Sequence, residues 1–434
     1  MAAVVAGMVD DKTPRLSDTE MPMRRTPKLL VPRAPARPGE SPDFSYVQLS
    51  PAGAVERPEV HSRVRDMTGL ADALVRVIDD DHAAVGPWDP HLDDHDLQVG
   101  LRHMLLTRAF DERMLKMQRQ GKISFYMQST GEEAVSIAGA MAMAPTDMLF
   151  PSYRTQGLQI ARGRNLVDLM CQCLSNSRDM CKGRQMPIMY HWSRGNIFSV
   201  SGNLTSHYPQ AVGWAMAAAI KGDDDVAAAW IGEGSTAEAD FHHALTFAAV
   251  YQAPVILNVI NNQWAISTFQ GFAGGERRSF AARGPGYGIA SIRVDGNDFL
   301  AVYAVTRWAA ERARRGKGPT LIEHVTYRAG AHSTSDDPSR YRPKDEWAAW
   351  PLGDPVERLQ QHLIAEGGWS EARHEALEDE LRVHVDDCWN EAVTYGTMTE
   401  GPFLDENELF EDVFRDMPAH LIEQREQMRN LQED

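Results

Sequence analysis

The sequence predicts an α/β protein: a mostly parallel sheet flanked by helices on both faces, led by an extended N-terminal arm. Three observations carry this expectation. Short apolar runs alternate with longer helical stretches from about residue 226 to residue 328, the pattern of strands covered on both faces. The first 60 residues are punctuated by proline (Pro14, Pro22, Pro27, Pro32, Pro35, Pro38, Pro42, Pro51, Pro58), which excludes helix and central strand there. A glycine-flanked acid, Gly232-Glu233-Gly234, sits where an apolar run hands over to a helical one. The expected organisation is an arm over 1–60, an α/β domain over 61–400 and a charged helical segment over 401–434.

In chain order, Phe44 and Tyr46 within PDFSYVQLS predict that part of the arm docks on the domain. Leu97, Leu101, Met104, Leu105 and Phe110 recur at helical spacing, with Asp93 or Asp94 placed to cap the helix. Further helices are expected over about 131–143, 166–174 and 211–220, separated by loops at FPSYRTQG (150–157), KGRQMP (182–187) and SVSGNLTSHYPQ (199–210). Then the alternation begins: strand 226–231, helix 237–251 and strand 255–260. It resumes with strand 291–296, helix 301–315 and strand 320–328.

Composition narrows the function. A net charge of −17 argues against a nucleic-acid surface, which would be basic. The longest apolar runs, 211–220 and 255–260, fall short of the roughly 20 residues of a membrane span. The N-terminus lacks a basic leader region and turns acidic early, so a bacterial-type cytoplasmic protein is expected. The four cysteines, Cys171, Cys173, Cys181 and Cys388, match no common zinc spacing and read as reduced thiols.

The acid between two glycines needs an explanation. Gly232-x-Gly234-x-x-Ala237 formally fits a dinucleotide-binding turn. A pyrophosphate there would meet the Glu233 carboxylate, at a cost of roughly 4 kcal/mol for charges about 4 Å apart at an effective dielectric near ~20. The second strand, VILNVINN, also lacks the acid that would hold a ribose. A divalent metal removes the conflict by bridging carboxylate and diphosphate. Mg²⁺ takes oxygen ligands in octahedral array, and the second strand runs into Asn261-Asn262-Gln263-Trp264, which offers an amide oxygen and a backbone carbonyl. Both turns would lie at the carboxyl edge of one sheet, where open α/β folds bind ligands.

Gly232-Glu233-Gly234, followed 30 positions later by Asn262, resembles the thiamine diphosphate motif, in which Asp is commoner than Glu. From about residue 40 onward the chain resembles the alpha subunits of branched-chain 2-oxo acid dehydrogenases, through FYMQSTGEEA, FPSYRTQG, KGRQMPIMY, INNQWAIST, RGPGYGIASIRVDGND and TYRAGAHSTSDDPSRYR. The resemblance implies the thiamine diphosphate-binding fold. It implies Mg²⁺ held by Glu233, Asn262 and the Trp264 carbonyl. The cofactor would lie against Tyr153, Arg154, Gly202, Leu204, Gly232, Gly234, Ser235 and Ile266, with Gly234 and Ser235 opening a helix toward the diphosphate. Leu204 would support the bent cofactor. Ser201, Asn203, Ser206 and His207 fall where relatives bind K⁺. His332 would face the reaction centre, in a loop carrying Ser333 and ordered by charge-assisted bonds of Arg328 and Asp336. The resemblance further implies a separate beta subunit, a heterotetramer of two alpha and two beta chains, and acyl transfer to a lipoyl domain. Pyruvate or acetoin dehydrogenase alpha subunits share fold and cofactor and stand as alternatives; a nicotinamide-binding oxidoreductase is the alternative of another class.

Overall fold

A computed structural model describes residues 29–433 except Glu276. Contacts divide the chain into Met1–Pro32 and Arg33–Asp434, and everything below concerns the second unit. The prolines and the leader region expected before residue 29 lie outside the described residues.

The elements run β1 (Leu74–Val75), α1 (Asp94–Arg119), α2 (Glu133–Met141), β2 (Met148–Phe150), α3 (Gly157–Ala161), α4 (Leu166–Leu174), α5 (His207–Lys221), β3 (Ala227–Gly232) and α6 (Ala239–Tyr251). They continue with β4 (Val255–Asn261), β5 (Trp264–Ala265), β6 (Thr268–Phe269), β7 (Ala290–Asp295), α7 (Phe299–Arg314), β8 (Thr320–Val325), α8 (Pro355–Ala365), α9 (Glu371–Ala392) and α10 (Ala419–Glu433). Six strands form one sheet in the order β1-β7-β8-β4-β3-β2, and every pairing in it is parallel. β5 and β6 form a small antiparallel hairpin.

Side chains alternate across the sheet as strand geometry requires. Ala228, Trp230, Ile256 and Ile260 join a core with residues of α1, α2, α7, α8 and α9. Ala227, Ala229, Ile231, Val255, Leu257 and Val259 join a second core with α5 and α6. Strands buried on both faces are continuous apolar runs for this reason. The helix ends are set by side-chain caps: the Asp93 carboxylate accepts from Asp96 N, Asp298 from Ala301 N and Asp354 from Val356 N and Glu357 N, with Pro355 at the first helical position. Asp298 also accepts from the backbone N–H groups of Val77 and Ile78 at 2.8 and 2.7 Å, which ties the chain beyond β1 to the start of α7.

Residues 33–63 carry neither helix nor strand. Phe44 packs edge-on against Tyr327 and Trp350, with ring centroids 5.7 and 5.1 Å away. Tyr46 meets Phe269 at 5.4 Å and donates to Gln263 Oε1 at 3.1 Å.

Three expectations differ in detail. The run 320–328 leaves the sheet after Val325, and the next element is a 3-10 turn at Pro338–Arg340. Helix α6 begins at Ala239, not Ala237: Glu233–Ala237 forms a 3-10 turn and Glu238 is extended. The expected start of that helix at Gly234 and Ser235 is therefore corrected; both belong to the short turn. Finally, the C-terminal segment is helical only from Ala419, after a 3-10 turn at Glu406–Phe410.

Candidate active site

The loops following β2, β3, β4 and β8 all leave the same carboxyl edge of the sheet. Between them lies a cavity of about 540 Å³, lined by Tyr153, Arg154, Gly202, Leu204, Gly232, Glu233, Gly234, Ser235, Asn262, Trp264, Ile266 and His332, together with Met127, Met189, Phe269 and Phe272. Every residue expected at the cofactor is among these. Leu204, Ile266 and Phe272 are about half exposed on its rim.

Glu233 is the electrostatic centre. It is 1% exposed, and its Oε1 is buried without a hydrogen-bond partner. Burial pushes its carboxyl up to about 7 against the backbone N–H groups that face it. An unpaired buried carboxylate oxygen is costly, and a cation removes that cost. Asn262 lies on the neighbouring turn. Its Nδ2 donates to Glu132 Oε1 at 2.8 Å; its amide oxygen accepts from Trp264 N at 3.2 Å and keeps a second lone pair. The Trp264 carbonyl accepts from Arg328 Nη1 at 2.8 Å, and a carbonyl oxygen has a second lone pair to offer. Hard oxygen donors of this kind suit Mg²⁺.

The glycines divide by role. Gly234 is required by close approach, since a Cβ there would sit 2.4 Å from the Ala265 Cβ. At Gly232 and Gly202 a Cβ would meet nothing within 4 Å, and Gly232 has φ −74, open to any residue. The space beside them is the cavity itself, so these two glycines leave room for a ligand against the backbone.

The opposite wall is basic. Arg154 is 3% exposed. It donates through Nη1 to the Gln128 carbonyl and through Nη2 to the His332 carbonyl at 2.9 Å, and pairs with Glu132 Oε1 at 3.4 Å. The Tyr153 ring stands edge-on to the His332 ring, with centroids 5.8 Å apart. Burial, then Arg154 and Arg328, hold His332 down to about 3, against the opposing pull of Asp336; the imidazole is neutral at physiological pH.

In the His332 loop Arg328 and Asp336 each make charge-assisted bonds and are linked through Tyr341. Arg328 Nη2 donates to the Tyr341 hydroxyl at 2.7 Å, and that hydroxyl donates to Asp336 Oδ2 at 2.6 Å. Asp336 Oδ2 also accepts from His332 N at 2.7 Å. Ser333 lies beside this network but outside the cavity lining; its Oγ accepts from Ser335 N at 3.2 Å.

Of the residues expected around K⁺, three converge. Ser201 Oγ and Ser206 Oγ are 2.9 Å apart, and both donate to the Asn203 carbonyl, at 3.1 and 3.0 Å. His207 does not join them. It is buried in the first turn of α5, and its Nε2 lies 2.7 Å from the Trp230 carbonyl, which turns the ring toward the sheet. Nearby, Thr205 at φ 67 and Ile266 at φ 55 hold left-handed backbone, unusual for β-branched residues and typical of functional loops.

Glu132 and Tyr341 complete this machinery and are not singled out by the sequence reading. Glu132 carries a weak signal, the first acid of TGEEA just ahead of α2, which reads equally well as an ordinary helix-start acid.

The chain belongs to the dehydrogenase E1 component family, whose model matches residues 101–400; this family depends on thiamine diphosphate. A second model, the 2-oxoisovalerate dehydrogenase E1 alpha subunit N terminal, matches residues 25–64. The chain is 57% identical to the 2-oxoisovalerate dehydrogenase subunit alpha of Pseudomonas aeruginosa, over 92% of this chain and 98% of that protein. It is 40% identical to the mitochondrial 2-oxoisovalerate dehydrogenase subunit alpha of Homo sapiens, over 83% of this chain and 80% of that protein. No helix among the described residues is long and apolar enough to cross a membrane.

Proposed function

We propose that this chain is the alpha subunit of a branched-chain 2-oxo acid dehydrogenase, cytoplasmic, working with a beta subunit in a heterotetramer of two alpha and two beta chains. The observation that carries the reading is the convergence on one cavity of a buried carboxylate with an unpartnered oxygen, Glu233, an amide, Asn262, and a basic wall, Arg154. Glu233, Asn262 and the Trp264 carbonyl would hold Mg²⁺. Tyr153, Arg154, Gly232 and Ser235 would hold the diphosphate, the arginine through its planar fork. Ser201, Asn203 and Ser206 would offer oxygen to K⁺.

When bound, thiamine diphosphate supplies the carbon nucleophile and electron sink for decarboxylation. The chain's own residues position and neutralise. Arg154 meets phosphate charge and, through its bond to the His332 carbonyl, fixes the His332 loop. His332, kept neutral, accepts or donates a proton at the reacting end. Leu204 and Ile266 form an apolar shelf on the open flank, where the beta subunit would complete the site. The acyl fragment then passes to the lipoyl group of an acyltransferase component.

The test is co-expression with the cognate beta chain, followed by acyl transfer to a lipoyl domain from a panel of 2-oxo acids. Branched acids are expected to lead. A strong pyruvate preference would overturn the substrate, and full turnover by this chain alone would overturn the shared site.

A further inference from the structure

Glu132 is buried beneath the cavity and does not line it. One of its oxygens serves two partners: Oε1 accepts from Asn262 Nδ2 at 2.8 Å and faces Arg154 Nε at 3.4 Å. It thus joins the turn that carries the amide ligand to the arginine of the opposite wall. An asparagine amide can present either its oxygen or its nitrogen to a given direction. A metal requires the oxygen. With a carboxylate fixed on one side, the flipped amide would set carbonyl oxygen against carboxylate oxygen and leave the NH₂ group facing the cation, so both contacts would turn repulsive.

We propose that Glu132 is a positioning residue that sets the handedness of the Asn262 amide, committing its nitrogen inward and its oxygen to the metal, while the same oxygen holds Arg154 in place for the diphosphate. This rests on the functional reading above. What Glu132 supplies is an acceptor at a fixed place; the acceptor matters more than the charge for Asn262. Outer partners that orient a metal ligand typically account for 10–100-fold in metal affinity.

The experiment is calorimetric titration of Mg²⁺ into the alpha–beta complex in the presence of excess thiamine diphosphate, with the melting temperature of the cofactor-free complex recorded in parallel. E132L removes the acceptor and is expected to weaken Mg²⁺ about 10–100-fold. E132Q keeps an acceptor oxygen at the same reach and is expected to stay within about threefold of wild type, because one good hydrogen bond to Asn262 is retained. If E132L does not assemble, E132S is the second variant. Its hydroxyl is too short to reach Asn262, a water can fill the gap from either side, and about tenfold weakening is expected. Equal Mg²⁺ affinity in wild type and E132L or E132S overturns the proposal, as does a loss in E132Q as large as in E132L. Failure of the wild-type complex to bind thiamine diphosphate with Mg²⁺ would instead overturn the functional reading itself.

Discussion

Arg154 Nη2 lies 2.9 Å from the His332 carbonyl and 3.3 Å from the same residue's Nδ1. The guanidinium therefore acts on the imidazole by position and by charge. Burial and the two arginines keep His332 down at about 3, so its neutral form is expected throughout pH 5–8. Diethylpyrocarbonate, which attacks neutral imidazole, should modify His332 at a rate independent of pH over this range, read peptide by peptide by mass spectrometry. In R154Q the His332 pKa should rise by about one unit, so that slowing sets in below pH 5, about one pH unit earlier than in wild type. A wild-type inflection near the ordinary histidine value would refute the account.

Replacing the imidazole separates binding from transfer. H332A is expected to bind thiamine diphosphate and Mg²⁺ within about threefold of wild type, since the ring makes no contact with Glu233 or Asn262, while lipoyl acylation falls by roughly 10²-fold or more, the usual range for losing a general acid–base. Retained acylation would remove His332 from the chemistry.

The unpaired Oε1 of Glu233 predicts a metal-dependent gain in stability. Wild-type complex with Mg²⁺ and thiamine diphosphate at about 100 times the dissociation constant should gain about 2.7 kcal/mol, seen as a higher melting temperature. E233Q should show no gain beyond that from thiamine diphosphate alone, because one carboxylate oxygen is exchanged for an NH₂ group. A full Mg²⁺-dependent gain in E233Q would show that the metal sits elsewhere.

His324 predicts a pH dependence of folding. It is buried in β8, where its Nε2 lies 2.9 Å from Asn258 Oδ1 and burial holds it down to about 3. The unfolded chain binds a proton near the ordinary histidine value of 6.5 and the folded chain does not. Its contribution is therefore fully present above pH 6.5 and is lost as pH falls from there toward 3. Between pH 6.5 and 5 this amounts to about 2 kcal/mol. Urea midpoints measured across that range should fall accordingly in wild type and less steeply in H324L; equal slopes would assign the effect to other groups.

The arm should be measurable by its anchor. F44A removes the ring that meets Tyr327 and Trp350 and, at a partly buried site, should cost about 1–3 kcal/mol. Limited proteolysis within residues 33–50 should accelerate while cleavage elsewhere is unchanged. An unaltered cleavage pattern would mean that other contacts hold the segment.

The strands at the centre of the sheet were legible because burial on both faces leaves an uninterrupted apolar run, as in Val255–Ile260. β1 and β2 were not, since two or three residues carry no periodicity. The hairpin at Trp264–Phe269 was hidden for a different reason: its turn places Ile266 in left-handed backbone, and no glycine or asparagine advertises it. α8 and α9 escaped notice although both are capped. The cavity-lining residues were readable through the glycine-flanked acid and the family resemblance. The partners behind them were not, because a buried acid such as Glu132 is indistinguishable in sequence from one that simply starts a helix. His207 differs from its neighbours Ser201 and Ser206, which gather oxygen, because helix geometry aims its ring at Trp230.

Arg328 reaches the carbonyls of Trp264 and Ile266 with one guanidinium, each at 2.8 Å, and the Tyr341 hydroxyl as well. Hairpin and histidine-bearing segment are thus riveted together. Neither can swing aside on its own, so any event that lifts the one must loosen the cavity wall that Trp264 and Ile266 form.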